Sequence, residues 1–97
     1  MRGFEMSVTL QVRQDVEDYE GWKPAFHGHE LTRRQHGATG HRVLREGNSL
    51  TVLVDFPDEE SAQGFISDPT LREAMAKGGV IGAPSVEIVS SVEEVHY

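Results

Sequence analysis

A run of aromatic and basic side chains between Tyr19 and Arg33 is the stretch best suited to chemistry. At 100° per residue, one stripe of a helix would carry Tyr19, Trp22, Phe26, His29 and Arg33. The stripe begins with three aromatic residues and ends with two basic ones. A helix facing only a dry core would stay apolar, and a solvated face would not begin with aromatics. The pattern therefore predicts a helix that forms one wall of a pocket.

The two basic residues of this stripe could transfer a proton and bind an anion. His29 is our candidate acid or base, because imidazole titrates near neutral pH. Arg33 lies one helical turn later and could hold a carboxylate, phenolate or enolate oxygen. A nearby cation and partial burial both favour the neutral imidazole that a general base needs. In the alternative interpretation both residues lie on a rim, where Glu30 pairs with Arg33 or Arg34.

Three aromatic residues and a second histidine complete the candidate site. Tyr19 and Trp22 could stack on a planar ligand or fill the core. For Phe26 the core position is the more expected of the two. His41 would meet His29 across the pocket if its strand face turns towards the helices, and would lie in an interface if it turns away. We predict catalytic roles for His29, Arg33 and His41, and substrate-binding roles for Tyr19, Trp22 and Phe26.

The sequence gives no indication of a metal or cofactor site. His29 and His36 would share a helix face, but at 1.5 Å per residue they lie about 10.5 Å apart along the axis. Metal–ligand bonds are only about 2 Å long. There are no cysteines, nucleophile elbows, phosphate-binding glycine loops or dinucleotide fingerprints. We therefore expect neither a metal nor a cofactor.

Composition limits the classes of partner. The 97 residues suit one domain, which we place at residues 6–97, with residues 1–5 as a frayed leader. A net charge of −7 argues against nucleic acid and against anionic membrane surfaces. No apolar run is long enough to span a membrane, and no signal-peptide pattern is present. We expect a cytoplasmic protein without nucleic-acid or membrane partners.

The hydrophobic pattern predicts an α+β, ferredoxin-like fold of order β-α-β-β-α-β. Gly21 and Pro24 should loosen the first helical turn, and Gly37 should end that helix in a left-handed conformation. Asp18 is a predicted cap of this first helix, and Asp58 and Asp68 are predicted caps of two later helices. The predicted elements are strand 6–13, a regular helix from about 23 to 36, strand 39–46, strand 50–56, two helices ending at Gly78-Gly79, a loop over 80–84 and strand 85–95.

One face of the predicted sheet mixes polar and apolar side chains. It is too apolar for open water and too polar for a dry core. Packing against the same face of a second copy would explain this composition, whereas the alternative is a solvated face. We predict the homodimer. The residues concerned are Thr9, Gln11, Thr51, Leu53, Glu87 and Val89.

Four segments give the chain a resemblance to a known family: DYEGWKPAFHGHE, GATGHRVLR, FISDPTLREAMAKGGVIGAP and the closing VEIV. Together with the spacing W-x3-F-x2-H-x3-R followed by G-x2-G-H-R, they resemble the small bacterial dimeric α/β-barrel proteins labelled "cyclase". These are relatives of the antibiotic biosynthesis monooxygenases. The resemblance covers residues 7–90. His27 stands where the pattern would have an acidic residue, so a carboxylate role is not carried over to that position.

The resemblance implies a homodimer with sheets packed face to face and one pocket per subunit. Members of this group act on aromatic or polyketide-like compounds, often without a cofactor, whereas others bind haem or have no assigned reaction. We therefore expect a cofactor-independent enzyme of the cyclase or monooxygenase type acting on a small aromatic or polyketide-like ligand. The alternatives are a non-catalytic ligand-binding or stress-related dimer, and a haem-handling protein.

Overall fold

A four-stranded antiparallel sheet carries four short helices in the computed structural model, which describes residues 7–97. The predicted leader and Met6 lie outside the described residues. The strand order is β2-β3-β1-β4, which confirms the α+β, ferredoxin-like prediction, with each helical unit divided in two. No helix in the described range is long and apolar enough to cross a membrane. The elements are β1 Val8–Val16, α1 Tyr19–Gly28, α2 Glu30–Gln35, β2 Gly40–Glu46, β3 Ser49–Phe56, α3 Glu59–Ile66, α4 Pro69–Lys77 and β4 Val80–Ser90.

The two central strands supply the floor of the core. Alternate residues of β1 and β3 lie directly opposite one another and face the helices, as the period-two pattern predicts. Each of these side chains is at most 6 % exposed. The pairs are Val8–Phe56, Leu10–Val54 and Val12–Val52.

The first helical segment differs from the regular helix predicted over 23–36. It begins at Tyr19, because the Asp18 carboxylate accepts a hydrogen bond of 2.9 Å from the backbone amide three residues later. That cap outweighs the missing amide of Pro24, which lies inside α1. The helix then breaks at His29, whose φ and ψ of −99° and 6° separate α1 from α2. The predicted cap at Asp18 is therefore confirmed, whereas the predicted loose first turn and the unbroken helix from 23 to 36 are wrong.

The other predicted helix signals are confirmed. Asp58 caps α3, and Asp68 caps α4 with Pro69 at the first helical position. Gly37, after α2, has a φ of +98°, the left-handed conformation that a side chain would disfavour. Local cap chemistry is thus sufficient to place these helix ends.

The sheet extends further than predicted at one end. β1 does not stop at Arg13 but continues to Val16, which pairs with Val80 of β4 after a register shift. The predicted loop over 80–84 is therefore strand, and β4 ends at Ser90 rather than at residue 95. This extension brings one further polar residue of β1 into the core.

The sheet face away from the helices has no cover from residues 7–97. Leu44 and Val89 on this face are 42 % and 44 % exposed. The neighbouring side chains of Thr9, Gln11 and Thr51 are half-buried. A single chain would leave this apolar area in water, and the homodimer stays a prediction.

Candidate functional site

A cavity of about 50 Å³ lies between the helices and the sheet. Its walls are apolar side chains from β1, β3, α1, α3 and α4, interrupted by three polar residues. Those three are Gln14, His29 and Arg33. A largely apolar pocket with a few convergent polar groups is the usual form of a small-molecule site.

The aromatic stripe of α1 forms a continuous stack with a cation at each end. The Trp22 ring lies 5.9 Å from that of Tyr19 and 4.7 Å from that of Phe26, centre to centre. The Arg33 guanidinium carbon lies 3.7 Å from the centre of the Phe26 ring, and that of Arg45 lies 4.3 Å from the Tyr19 ring. Trp22 and Phe26 line the cavity, whereas Tyr19 does not.

Arg33 is a buried cation without an acidic partner in the described part of the chain. It is only 3 % exposed, and its Nη1 donates a hydrogen bond of 3.0 Å to the Phe26 carbonyl. Its Nη2 is buried and has no hydrogen-bond partner among residues 7–97. Glu30 instead pairs with Arg34 at 3.6 Å. Because burial of an unpaired charge is costly, this site favours a ligand that supplies an acceptor or a negative charge.

The backbone break after α1 places His29 beside Arg33 in the cavity wall. His29 is 8 % exposed, and its ring centre lies 5.7 Å from that of Phe65. Burial lowers the pKa of His29, and the nearby Arg33 lowers it further, outweighing the opposing effect of Asp68. The imidazole is therefore neutral at pH 7, the state in which it can accept a proton.

A chain of hydrogen bonds leads away from His29. Its Nε2 lies 3.0 Å from Oγ1 of Thr70, which donates a 2.6 Å hydrogen bond to Oδ1 of Asp68. The other oxygen of Asp68 lies 2.8 Å from Nε2 of His36. The bonds from Thr70 and His36 hold the pKa of the Asp68 carboxyl far below its ordinary value. Sequence reasoning identified Asp68 only as a helix cap and missed Thr70.

His41 lies on the helix side of the sheet but does not line the cavity. It pairs with Val54 in β3, and its ring packs edge-on against Phe26 at 5.0 Å. It lines a polar groove of about 360 Å³ between α2 and β2, where Arg33 forms a wall shared with the cavity. The structure therefore gathers His29 and Arg33 at the cavity and places His41 beyond Phe26.

Gln14 is a cavity residue that sequence reasoning missed. Its Oε1 is buried and accepts no hydrogen bond from the residues that the structure describes, and the residue is 9 % exposed. The alternation of Val8, Leu10 and Val12 continues through Gln14 to Val16, and that continuation was the signal available. A polar residue at an inward position of an apolar strand marks a place where a ligand could bind.

Residues 7–97 contain no group of three histidine or acidic side chains arranged to hold a metal ion. Haem needs an axial ligand on an open side. His29 and His36 each have Nε2 engaged by another side chain, which does not support either as that ligand.

No protein-family profile and no curated protein matches the chain. Solved structures do. A protein of unknown function from Nitrosomonas europaea, NE2512, is 18 % identical with a TM-score of 0.75, over 98 % of both chains. SnoaB, a cofactor-independent oxygenase from Streptomyces nogalater, is 15 % identical with a TM-score of 0.70, over 94 % of this chain and 96 % of that one.

A third similar structure was determined with a ligand. It is a monooxygenase from the gene ActVA-Orf6 of Streptomyces coelicolor in complex with nanaomycin D, 11 % identical with a TM-score of 0.69, over 96 % of this chain and 94 % of that one. Other structures with this fold are candidate antibiotic biosynthesis monooxygenases. The likeness in fold expected from the sequence is thus confirmed.

Proposed function

We propose that the protein is a cofactor-independent oxygenase of the monooxygenase type, acting on a small aromatic or polyketide-like compound with dioxygen as the oxidant. His29 is the acid and base, Arg33 binds the oxyanion, and Trp22 and Phe26 form the apolar wall. The observation that carries the proposal is the unpaired Nη2 of buried Arg33 at the cavity beside a neutral His29. The similar fold of an oxygenase that needs no cofactor supports the reaction class.

The residues present suit the oxidation of an acidic methylene next to a carbonyl. His29 takes a proton from the carbon, and Arg33 stabilises the enolate oxygen that forms. The carbanion reduces dioxygen and bonds to it, and protonated His29 returns its proton to the resulting peroxide. Loss of water then converts the carbon to a carbonyl. One oxygen atom enters the product and the other leaves as water with the two methylene hydrogens.

The cavity has room for only the reacting end of such a ligand. Sites for drug-sized ligands usually enclose about 300–1,000 Å³, far more than the cavity of about 50 Å³. The adjoining groove that holds His41 has about 360 Å³ and shares the Arg33 wall. A ring system lying in this groove would place an oxygen at Arg33 and be flanked by His41. This gives His41 a substrate-contact role rather than a direct contact with His29.

The functional unit that we propose is a homodimer in the cytoplasm. The partly apolar outer sheet face supports the dimer, because its exposed residues Leu44 and Val89 would be covered by the same face of a second copy. The cavity opens on the other side of the sheet, so dimerisation would leave it accessible.

A non-catalytic small-ligand-binding dimer is the second candidate. The small cavity favours it, because an enzyme for ring compounds would need side chains to move before its substrate could reach His29. In this case Arg33 and Gln14 would only recognise a ligand. A similar structure without known function is compatible with this interpretation.

The test is a substrate screen under ¹⁸O₂ with protein freed of metal by a chelator. Phenols and polyketide-like ketones with an acidic methylene form the panel, and mass spectrometry follows the products. The proposal predicts a product that carries one ¹⁸O atom, formed by native protein and lost in the His29→Ala variant. Full turnover by His29→Ala, or binding of panel members without any chemical change, would contradict it.

A further inference from the structure

We propose that Thr70 and Asp68 are positioning residues that hold neutral His29 in a single tautomer, with the proton on Nε2 and with Nδ1 as the proton acceptor. The catalytic use of Nδ1 rests on the proposed function. The tautomer itself does not, because it is a property of the free protein.

The Thr70 hydroxyl has a single proton to donate. Asp68 is ionised, so its carboxylate can only accept hydrogen bonds. The distance of 2.6 Å between Oγ1 of Thr70 and Oδ1 of Asp68 is typical of a hydroxyl donating to a carboxylate. The hydroxyl proton is thereby used. The Thr70 oxygen has only lone pairs left for Nε2 of His29, 3.0 Å away, so Nε2 must carry a proton.

The Asp68 carboxylate is itself fixed in place. Its Oδ1 also accepts a 2.8 Å hydrogen bond from the Thr70 backbone amide, and its Oδ2 accepts one of the same length from Nε2 of His36. Rotation of the carboxylate would break all three interactions at once. The N-terminal cap of α4 therefore serves a second purpose, since it determines which way the Thr70 hydroxyl points.

The remaining ring nitrogen of His29 is the one left for a substrate. The His29 ring makes its hydrogen bond through Nε2, and within residues 7–97 no hydrogen bond involves Nδ1. Thr70 lines an outer groove between α1 and α4 but not the cavity, whereas His29 lines both. The Nε2 edge is thus directed to the groove and the Nδ1 edge is free. A carboxylate that fixes an imidazole tautomer is an established device in catalysis, and here a threonine hydroxyl is inserted between the two.

Three charged or titratable groups act on His29: Arg33, Asp68 and His36. Arg33 and His36 disfavour the imidazolium, whereas Asp68 stabilises it. Replacement of Asp68 by Asn keeps an oxygen for the cap but removes the negative charge. In Asp68→Asn the pKa of His29 should therefore fall below its value in the native protein.

The test is long-range ¹H–¹⁵N correlation NMR of the histidine rings in the ligand-free protein, at a pH above the titration of His29. Protonated and bare ring nitrogens have well-separated ¹⁵N shifts, so each tautomer is identified directly. The expected result is a protonated Nε2 and a bare Nδ1 for His29. A proton on Nδ1, or the averaged shifts of two exchanging tautomers, would overturn the proposal.

Two variants at one position separate positioning from simple packing. Thr70→Val keeps the shape and loses the acceptor, so the His29 shifts should move towards a mixture of tautomers. Thr70→Ser keeps the hydroxyl and should retain the native shifts. Native shifts in Thr70→Val would contradict the role of the hydroxyl. If this variant does not fold, the spectrum of the native protein and the titration of His29 in Asp68→Asn still test the proposal.

Kinetics then connect the tautomer to catalysis. Once a substrate is found, Thr70→Val should lower kcat by at least about tenfold with little change in KM, because a wrong tautomer can lower the rate by as much as about 10⁴-fold. Thr70→Ser, which keeps the hydroxyl, should retain the native kcat. If His29→Ala abolishes turnover while the native tautomer has its proton on Nδ1, the proposed function stands and this inference fails. If the tautomer is as proposed but no panel member reacts, this inference stands and the proposed function fails.

Discussion

At the scale of single residues, the site depends on buried polar atoms that have no hydrogen-bond partner among residues 7–97. Arg33 is nearly inaccessible, and its charge is offset by one carbonyl, by the face of the Phe26 ring and by the charge of Glu30. Glu30 forms its ion pair with Arg34 instead. Gln14 likewise has a buried oxygen that receives no hydrogen bond within the described part of the chain. Unsatisfied groups of this kind reduce stability, and they occur where function requires them.

Replacement of Arg33 by Met should cost little stability while it removes ligand binding. An apolar side chain of similar length avoids the desolvation of the guanidinium. We therefore expect the free energy of unfolding of Arg33→Met to lie within about 1 kcal/mol of the native value or above it. Arg72→Met, at an exposed position of α4 outside both the cavity and the groove, is the control and should retain ligand binding. Loss of several kcal/mol in calorimetry of Arg33→Met would show that the cation is structural instead.

Acid should destabilise the protein through His29. The pKa of His29 is lower in the folded chain than its ordinary value of 6.5, so the unfolded chain binds the proton more tightly. Stability is fully present above pH 6.5 and falls as the pH drops towards the folded pKa. His41 shifts in the same direction, and Asp68 adds a further loss below its ordinary value of 3.8.

Urea unfolding of native protein and His29→Gln at several pH values measures this contribution. The variant should lose less stability between pH 7 and 5 than the native protein. His41→Gln should independently reduce the slope of the free energy of unfolding against pH. Equal slopes in native protein and His29→Gln would contradict the assignment.

At the scale of elements, the α1–α2 break brings the two basic residues of the stripe to the cavity. The helical stripe was predictable because its period survives the break, and the caps Asp58 and Asp68 were predictable from local chemistry. The break itself was not, since it accompanies the hydrogen bond from Arg33 to the Phe26 carbonyl seven residues earlier. His29 and Thr70 are 41 residues apart in the sequence, so no local pattern predicts their contact.

The packing of α1 on α4 should depend on Gly78. A Cβ at this position would lie 2.8 Å from Cδ1 of Trp22, too close without a shift of the indole. Gly78→Ala should therefore lower the free energy of unfolding by about 1–3 kcal/mol. Gly28→Ala lies at the end of α1, where the new methyl group would meet no atom of residues 7–97 within 4 Å outside its chain neighbours and the adjoining helix backbone. It is the matched control and should be neutral or stabilising. Equal stability of the two variants in urea would contradict this packing.

At the scale of the whole molecule, the fold divides its two sheet faces between separate tasks. The helix side holds the core and the cavity, and the outer side remains half apolar. The sequence pattern was enough to predict this division, because side chains alternate along each strand. It could not predict that β1 and β4 extend to Val16 and Val80, since that pairing depends on a register shift.

Charges on the outer sheet face should separate the predicted dimer. Val89→Lys combined with Leu44→Lys would place two desolvated cations in a face-to-face interface. We expect sedimentation to report a dimer for the native protein and a monomer for this variant at micromolar concentration. Leu31→Lys, on the exposed side of α2, should stay dimeric. A native protein that sediments as a monomer would contradict the prediction.

The measurement that tests the central claim most directly is dioxygen uptake by His29→Gln and His27→Gln with the first substrate that native protein oxidises. His29 lies in the cavity wall, whereas His27, two residues away, is exposed. Loss of a general base typically lowers the rate by about 10²–10⁴-fold. We predict a decrease of this size in kcat for His29→Gln and native uptake for His27→Gln. Equal rates in the two variants would contradict the assignment of proton transfer to His29.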